Sequence, residues 1–394
     1  MKVYFVNINI EGEVIEDIID FKYEDSINLD NMLQFKISGK QELIYKIDTD
    51  VFKTGSNIVF TFGQTRGRIS ENHVAVLTDI DVIYGKNGRV YVTIRAIDKG
   101  TILKKSENIF DWSGKKSSEI VEIIAGRYDM AYQIESTTNV HENLNQCGKN
   151  DFEFMMYLAL IEGGYIFYIR NNIIHFVQRG LDKDSIVTYE YGNDDSVLAF
   201  STNYRDSITK VEAVKNDVIK VDDDKEVVED NVTRVDVADV DVNLGNFDLE
   251  YLSGSYSTVV KKHLLLPQFQ QEEVTNIIDG LVKETKLMTL TGVLTIVGNP
   301  LRNPDEIITI AGQLLKRDLG NWYTEKVTHK IDNAGYTTKL YIAKNATDIE
   351  TNEQSVNSNS TIGEANANEV GNVNNNDYIT HAVYDINGDL INYE

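Results

Sequence analysis

The first hundred residues hold no sustained helical period. Apolar residues come in short runs, Val3–Ile10, Met32–Ser38, Ile58–Phe62, Val74–Ile83 and Val90–Ile97, separated by Gly, Asn and Asp. Runs of this length and composition are strands, and the residues between them mark turns. Gly85-Lys86-Asn87-Gly88, between the last two runs, reads as a hairpin loop. A chain that opens this way must bury its strands against one another. Residues 1–104 are therefore expected to form a small antiparallel barrel or sandwich.

The same order of signals returns near the other end. Strand runs resume at Met288–Val297, Ile307–Ile310, Tyr323–Ile331 and Thr337–Ile342, and Asn57–Gly63 can be laid against Glu306–Gly312. A glycine turn between two strands follows each, Gly88 coming 25 residues after Gly63 and Gly335 coming 23 after Gly312. Such recurrence points to an internal duplication. Residues 200–345 then form a second barrel, with an acidic segment and a helix (about 222–286) inserted. Within that insert the alternation of Val235–Val242 slips phase at Ala238, as a bulged strand would. The helix is the clearest in the chain, with Val274, Ile277, Ile278, Leu281 and Val282 on one face. Two similar barrels per chain have a geometric use: three chains in a ring present six, so a threefold assembly can stack on a sixfold one.

Residues 105–199 have a different pattern and read as an α+β insert domain. Ser118 precedes Ile120, Ile123 and Ile124, a short amphipathic helix that stops near Gly126. A second helix opens at Asn150, a good N-cap whose capping box Glu153 can complete. Its apolar face is Phe152, Met155, Met156, Ala159 and Leu160, and Gly163-Gly164 ends it. Two strands about the Asn171-Asn172 turn follow. Residues 346–377, rich in Asn and Ser, read as a flexible linker, and 378–394 as a hairpin turning at Asn387-Gly388. The fold class is thus α+β but mainly β: two antiparallel β-barrels with a helix–hairpin insert.

Composition narrows the function. An apolar fraction of 42% in 394 residues is enough for a sizeable core. A net charge of −24 argues against gripping nucleic acid, which needs a basic surface. No apolar run reaches membrane-spanning length, and the N-terminus reads as a strand, so neither a membrane anchor nor a signal peptide is expected. The single cysteine, Cys147, cannot form an intramolecular disulfide.

Two segments carry a family resemblance. GVLTIVGNPLRNPDEIITIAGQLLKRDLGNWYTEKVTHKIDNAGYTTKL, from Gly292 to Leu340, resembles the phage late control protein D family, the baseplate hub proteins of contractile phage tails, R-type bacteriocins and related injection systems. DFEFMMYLALIEGGYIFYIRNNIIHF, from Asp151 to Phe176, resembles the matching part of that family and of the type VI secretion spike protein. The resemblance implies two tube-protein-like barrels per chain and a homotrimeric ring. It also implies tail tube or tube initiator protein on one side, a central spike on the other, and tape measure protein in the lumen. The chain lacks the needle repeat of the fused type VI proteins, so its spike should be a separate protein.

Candidate chemistry is sparse. His141 and Cys147 lie close in sequence without a third orienting group, so a structural histidine and a lone thiol are the plainer reading. His175 and His329 sit on strands, and six scattered histidines give no metal-ligand spacing. Asp222-Asp223-Asp224 lacks the ligand pattern of a calcium loop. No catalytic residue, metal or cofactor is expected. Asp236, Asp239 and Asp241 could line a channel and keep a polyanion sliding, or simply form an exposed strand face. Tyr384, Ile386, Leu390 and Ile391 of the terminal hairpin could add to a partner's sheet edge. The expected role is structural; the alternatives are a cell-wall glycosidase or peptidase of the same particle, or a carbohydrate-binding β protein.

Overall fold

One sheet of thirteen strands runs through both β-rich halves of the chain. The computed structural model describes residues 4–27, 29–39, 52–65, 67–105, 107–204, 210–222, 225–236, 244–249, 260–265, 271–347, 382–384 and 390–393. Residues 1–350 make one compact unit and 351–394 another.

The front half supplies β1 (Tyr4–Ile10), β2 (Glu13–Ile15), β3 (Ile18–Ser26), β4 (Met32–Gly39), β5 (Asn57–Gln64), β6 (His73–Tyr84) and β7 (Val90–Ile97). They pair antiparallel in the order β3-β4-β7-β6-β5-β1-β2. Burial alternates along them: Val90, Val92, Ile94 and Ala96 point into the core and the residues between do not. The sheet curls until β3 meets β5, bringing the Phe21 ring 6.1 Å from Phe60 and 5.2 Å from Phe62. Phe21, Phe35, Phe60 and Phe62 are at most 1% exposed, and each such side chain contributes about 1.5–3 kcal/mol. Among the described residues no ladder joins β2 to β3, so packed rings close the curl and hydrogen bonds do not.

The middle of the chain gives β8 (Lys115–Lys116), α1 (Ser117–Arg127), β9 (Ala131–Ile134), β10 (Val140–His141), α2 (Asp151–Ile161), β11 (Tyr165–Arg170) and β12 (Ile173–Gln178). Asn150 caps α2 by accepting from the Glu153 amide at 2.9 Å. Gly163 and Gly164, at φ 65° and 85°, reverse the chain after it. Asn171 and Asn172, at φ 52° and 63°, make the tight β11–β12 turn, and β9 joins β12 in parallel. The buried face of α2 is broader than one stripe. Phe154, Leu158 and Ile161 are buried as well, whereas Leu160 is 41% exposed. The helix packs against several neighbours, which a single-stripe reading underestimates.

The back half supplies β13 (Thr188–Tyr191), β14 (Val197–Tyr204), β15 (Lys210–Asp222), β16 (Lys225–Asp236), β17 (Phe247–Asp248), β18 (Val260–Leu265) and α3 (Gln271–Leu287). β19 (Leu290–Val297), β20 (Ile307–Gly312), β21 (Gly320–Asp332), β22 (Gly335–Lys344) and β23 (Ala346–Thr347) follow. Here β14-β19-β22-β21-β20-β13 is the pairing order. It matches β3-β4-β7-β6-β5-β1 strand for strand, in neighbours and in chain order. Even a bulge recurs, between Leu77 and Asp79 in β6 and between Thr324 and Lys326 in β21. The ladders place Ile58 and Phe60 in the positions of Ile308 and Ile310, one residue along from the alignment drawn from sequence. One strand departs from the repeat: β1 runs antiparallel to β5, but β13 runs parallel to β20.

Residues 27–31 connect β3 to β4, and the corresponding connection from β14 to β19 holds β15–β18 and α3. Ile277, Ile278, Leu281 and Val282 of α3 are buried in the core of the middle unit, on the face the 3.6-residue period marks. β3 then pairs antiparallel with β21, from Ser26 opposite Lys326 to Phe21 opposite Ile331, and so joins the two halves. Ile331 and Tyr336, from the β21–β22 hairpin, complete the front core. In the terminal unit β24 (Ala382–Tyr384) pairs antiparallel with β25 (Leu390–Tyr393).

Candidate functional site

The densest buried polar chemistry lies along the β3–β21 seam, where the β11–β12 hairpin is fastened. Asp25, near the end of β3, is 1% exposed and accepts from Arg170 Nε at 2.8 Å. Burial pushes the Asp25 carboxyl up even though Arg170 opposes it. Burial also works against charge on Arg170, but Asp25 outweighs it and keeps the guanidinium protonated. At the far end of the hairpin Arg179 Nη1 meets Glu325 Oε1 at 3.0 Å, and Glu325 is the bulge residue of β21. On the seam itself, burial would raise the Glu24 carboxyl, but Lys22 and Lys326 hold it below the ordinary range.

Asn31 fastens three elements at once. Its side chain accepts from the Ser26 amide at 3.0 Å and donates to the Ile169 carbonyl at 2.9 Å, while its backbone amide donates to Asp98 at 2.8 Å. Asp98 also accepts from the Gly100 amide at 2.7 Å. Its carboxyl is pushed up to about 7 by burial, with Asp30 and Asp25 adding to the rise. Asp305 forms a further junction, accepting from Tyr323 Oη at 2.8 Å and from the Gly180 amide at 3.1 Å. Every one of these groups is committed to holding elements together.

A histidine cluster lies beneath the same seam. The Phe62 ring is 5.5 Å from His73 and 4.8 Å from His329, and Tyr336 Oη is 3.0 Å from His329 Nδ1. Burial pushes His73 down to about 4 and His329 to about 3. Both are neutral at pH 7, so neither can serve as a general acid there.

One arrangement resembles a catalytic triad in composition only. Ser117 Oγ lies 2.8 Å from His141 Nε2, and Glu162 Oε1 lies 3.6 Å from the same nitrogen. A relay needs the hydroxyl and the carboxylate on opposite ring nitrogens. Ser117 is also fully buried and His141 is 2% exposed, so no substrate reaches them. The sequence paired His141 with Cys147 instead, and Cys147 is exposed. Among the described residues no group of three or more His, Cys, Asp or Glu could hold a metal ion. No helix there is long and apolar enough to cross a membrane. An open groove of about 710 Å³ between α2, the end of β12 and α3 is lined by Met156, Leu160, Arg179, Lys283 and Glu284 among others.

The residues singled out from sequence lie only in part among the described residues. Asp236 ends β16 opposite Lys210, whereas Asp239 and Asp241 lie outside the described residues. Tyr384 pairs with Leu390 across β24–β25, Ile391 is in β25, and Ile386 lies outside the described residues. Asp222 faces Lys225 across the tip of the β15–β16 hairpin, with Asp223 and Asp224 outside the described residues. The seam residues Asp25, Asn31, Arg170, Arg179 and Glu325 were not foreseen. The signal for two of them was present: Arg170 and Asp25 are charges at the ends of otherwise alternating or apolar strands.

Comparison with known proteins gives a family and a fold. The family model described as the Alg8 N-terminal domain matches residues 48–333. Its label differs from that of the phage family whose motifs the sequence resembles. No curated protein matches the sequence. Among solved structures, the 43 kDa tail protein of prophage MuSo2 from Shewanella oneidensis is similar at a TM-score of 0.64 and 12% identity, over 86% of this chain and 98% of that one. The tail protein from Neisseria meningitidis MC58 is similar at 0.63 and 9% identity, over 87% and 97%. A component of the E. coli type VI secretion system, described as resembling T4 bacteriophage tail proteins, is similar at 0.56 and 11% identity, over 86% and 77%. The mainly β fold is thus that of phage tail proteins.

Proposed function

The chain belongs to the Alg8 N-terminal domain family, and from its tail-protein fold we propose that it is a structural baseplate hub protein. Three copies form a ring that connects a sixfold tail tube to the threefold central spike of a phage tail or phage-tail-like contractile particle. The observation that carries this reading is the repeated strand order, β3-β4-β7-β6-β5-β1 against β14-β19-β22-β21-β20-β13. Two like modules on each of three chains offer six near-equivalent positions to a sixfold neighbour. Tube or tube initiator protein stacks on one side, a separate spike protein on the other, and tape measure protein occupies the lumen. In this reading Asp236, Asp239 and Asp241 line the channel, and Tyr384, Ile386, Leu390 and Ile391 meet a partner. The particle is assembled in the cytoplasm of a bacterial host.

The role is one of assembly without turnover, and the geometry at His141 favours it over hydrolysis. Light scattering on the purified chain, alone and with its spike, tests the reading. The expected species has three times the 44.6 kDa chain mass. A chain that stays monomeric with its spike and clears peptidoglycan on a zymogram overturns it.

A further inference from the structure

The duplication leaves two strand edges unequally treated. β21 is paired on both sides, with β22 and with β3. Its counterpart β6 is paired with β7 over Val76–Tyr84, but on the other side β5 covers only His73–Val76. Among the described residues nothing pairs with Thr78–Tyr84 on that edge. The shared bulge fixes the correspondence: Leu77 and Asp79 stand where Thr324 and Lys326 stand, so Val82 matches His329 and Tyr84 matches Ile331. His329 and Ile331 are 2% and 7% exposed beneath β3, whereas Val82 and Tyr84 are 36% and 72% exposed.

A second edge shows the complementary shortfall. β3 has partners on both sides, but among the described residues its counterpart β14 pairs only with β19. β3 bulges between Ile18 and Asp20, opposite Ile37 and Lys36, and β14 between Val197 and Ala199, opposite Ile296 and Thr295, so Phe200 takes the place of Phe21 and Thr202 that of Tyr23. Among the described residues each chain thus carries one open edge of the β21 kind and one of the β3 kind. Unpaired strand edges bearing apolar side chains are templates for another chain. Here the template exists inside the molecule, in the β3–β21 ladder.

We infer that β6 of one copy pairs antiparallel with β14 of a second copy, repeating between chains the β3–β21 contact made within each. Tyr23 opposite His329 and Phe21 opposite Ile331 translate into Thr202 opposite Val82 and Phe200 opposite Tyr84. Tyr84 then enters the back core of the neighbour as Ile331 enters the front core of its own chain. The contact is head-to-tail, since it joins different edges, and so it builds a ring when the rotation closes. The inference names the interface of the proposed ring and rests on that reading.

The test uses full-length chain carrying Cys147→Ser, which removes the only cysteine. Val82→Cys chains are mixed with Thr202→Cys chains and mildly oxidised, with light scattering in parallel. The expected result is a covalent dimer in the mixture and none from either variant alone. A double Ile83→Lys, Tyr84→Lys variant, altered only at exposed positions, should keep its thermal melt and lose the oligomer. An oligomer that forms no such cross-link, or that survives the two lysines, overturns the pairing and leaves the ring standing. A monomer at all concentrations, with or without spike, overturns both.

Discussion

Gly280 in α3 lies so close to Gly163, just past α2, that a Cβ on Gly280 would stand 2.7 Å from the Gly163 Cα. A Cβ on Gly163 would in turn stand 2.3 Å from the Asn276 carbonyl oxygen. The helix contributed by the back half therefore docks backbone to backbone on the middle unit. Gly280→Ala gains up to about 1 kcal/mol of helix propensity but must displace main chain, at a cost of roughly 1–3 kcal/mol. We expect a lower melting temperature. Gly126→Ala in α1, with nothing within 4 Å, should raise it. Equal shifts in the two thermal melts would refute the close docking.

Removing one partner of the Asp25–Arg170 pair leaves a buried charge uncompensated. Arg170→Met and Asp25→Leu should each cost roughly 3–5 kcal/mol, and the double variant less than the sum. Denaturant titration of the four proteins completes the cycle, and strict additivity would count against coupling across the seam.

Asn31→Ala removes the acceptor for the Ser26 amide and the donor for the Ile169 carbonyl. Two buried groups lose partners, at about 1–3 kcal/mol each. Limited proteolysis should show earlier cutting within 105–199 than in the wild type; an unchanged pattern would mean that Asn31 does not hold the middle unit.

The pH response follows from His73. Its folded value, about 4, lies below the ordinary 6.5, so the unfolded chain binds a proton that the folded chain refuses. Stability is therefore complete above 6.5 and is lost as pH falls toward 4, by about 1.4 kcal/mol per unit. His73→Phe keeps a ring against Phe60 and Phe62 and removes that loss. The wild-type-minus-variant difference in melting temperature should grow on acidification. Asp98 acts in the opposite sense: raised from 3.8 to about 7, it contributes stability below 3.8 that is lost as pH rises through 7. A difference that is flat between pH 7 and 4 would contradict the His73 assignment.

Much of this fold was legible because period-two and period-3.6 patterns are strong local signals. Val90–Ile97 is read off alternation alone, and α3 off the spacing of Ile277, Ile278, Leu281 and Val282. The repeat was legible in order but off by one in register, since ladders, and not identities, set which residues correspond. β3 and β14 are not among the strand runs read from the sequence. Phe21 and Tyr23 alternate with Lys22 and Glu24, but the charged end of β3 obscures a strand whose carboxylates are answered by distant cations. Those cations, Arg170 and Lys326, lie 145 and 302 residues away. The pairing across the seam was illegible for the same reason, since bonds such as Arg170–Asp25 and Lys326–Glu24 join segments that only the finished fold brings together.

The reversed direction of β13 distinguishes the two halves within the repeated path. A neighbour indifferent to which half it meets must rest on strands whose directions agree. One that needs to know front from back can read the difference at β1 and β13, where the same position offers opposite polarity of backbone donors and acceptors. The molecule thus carries its own index mark.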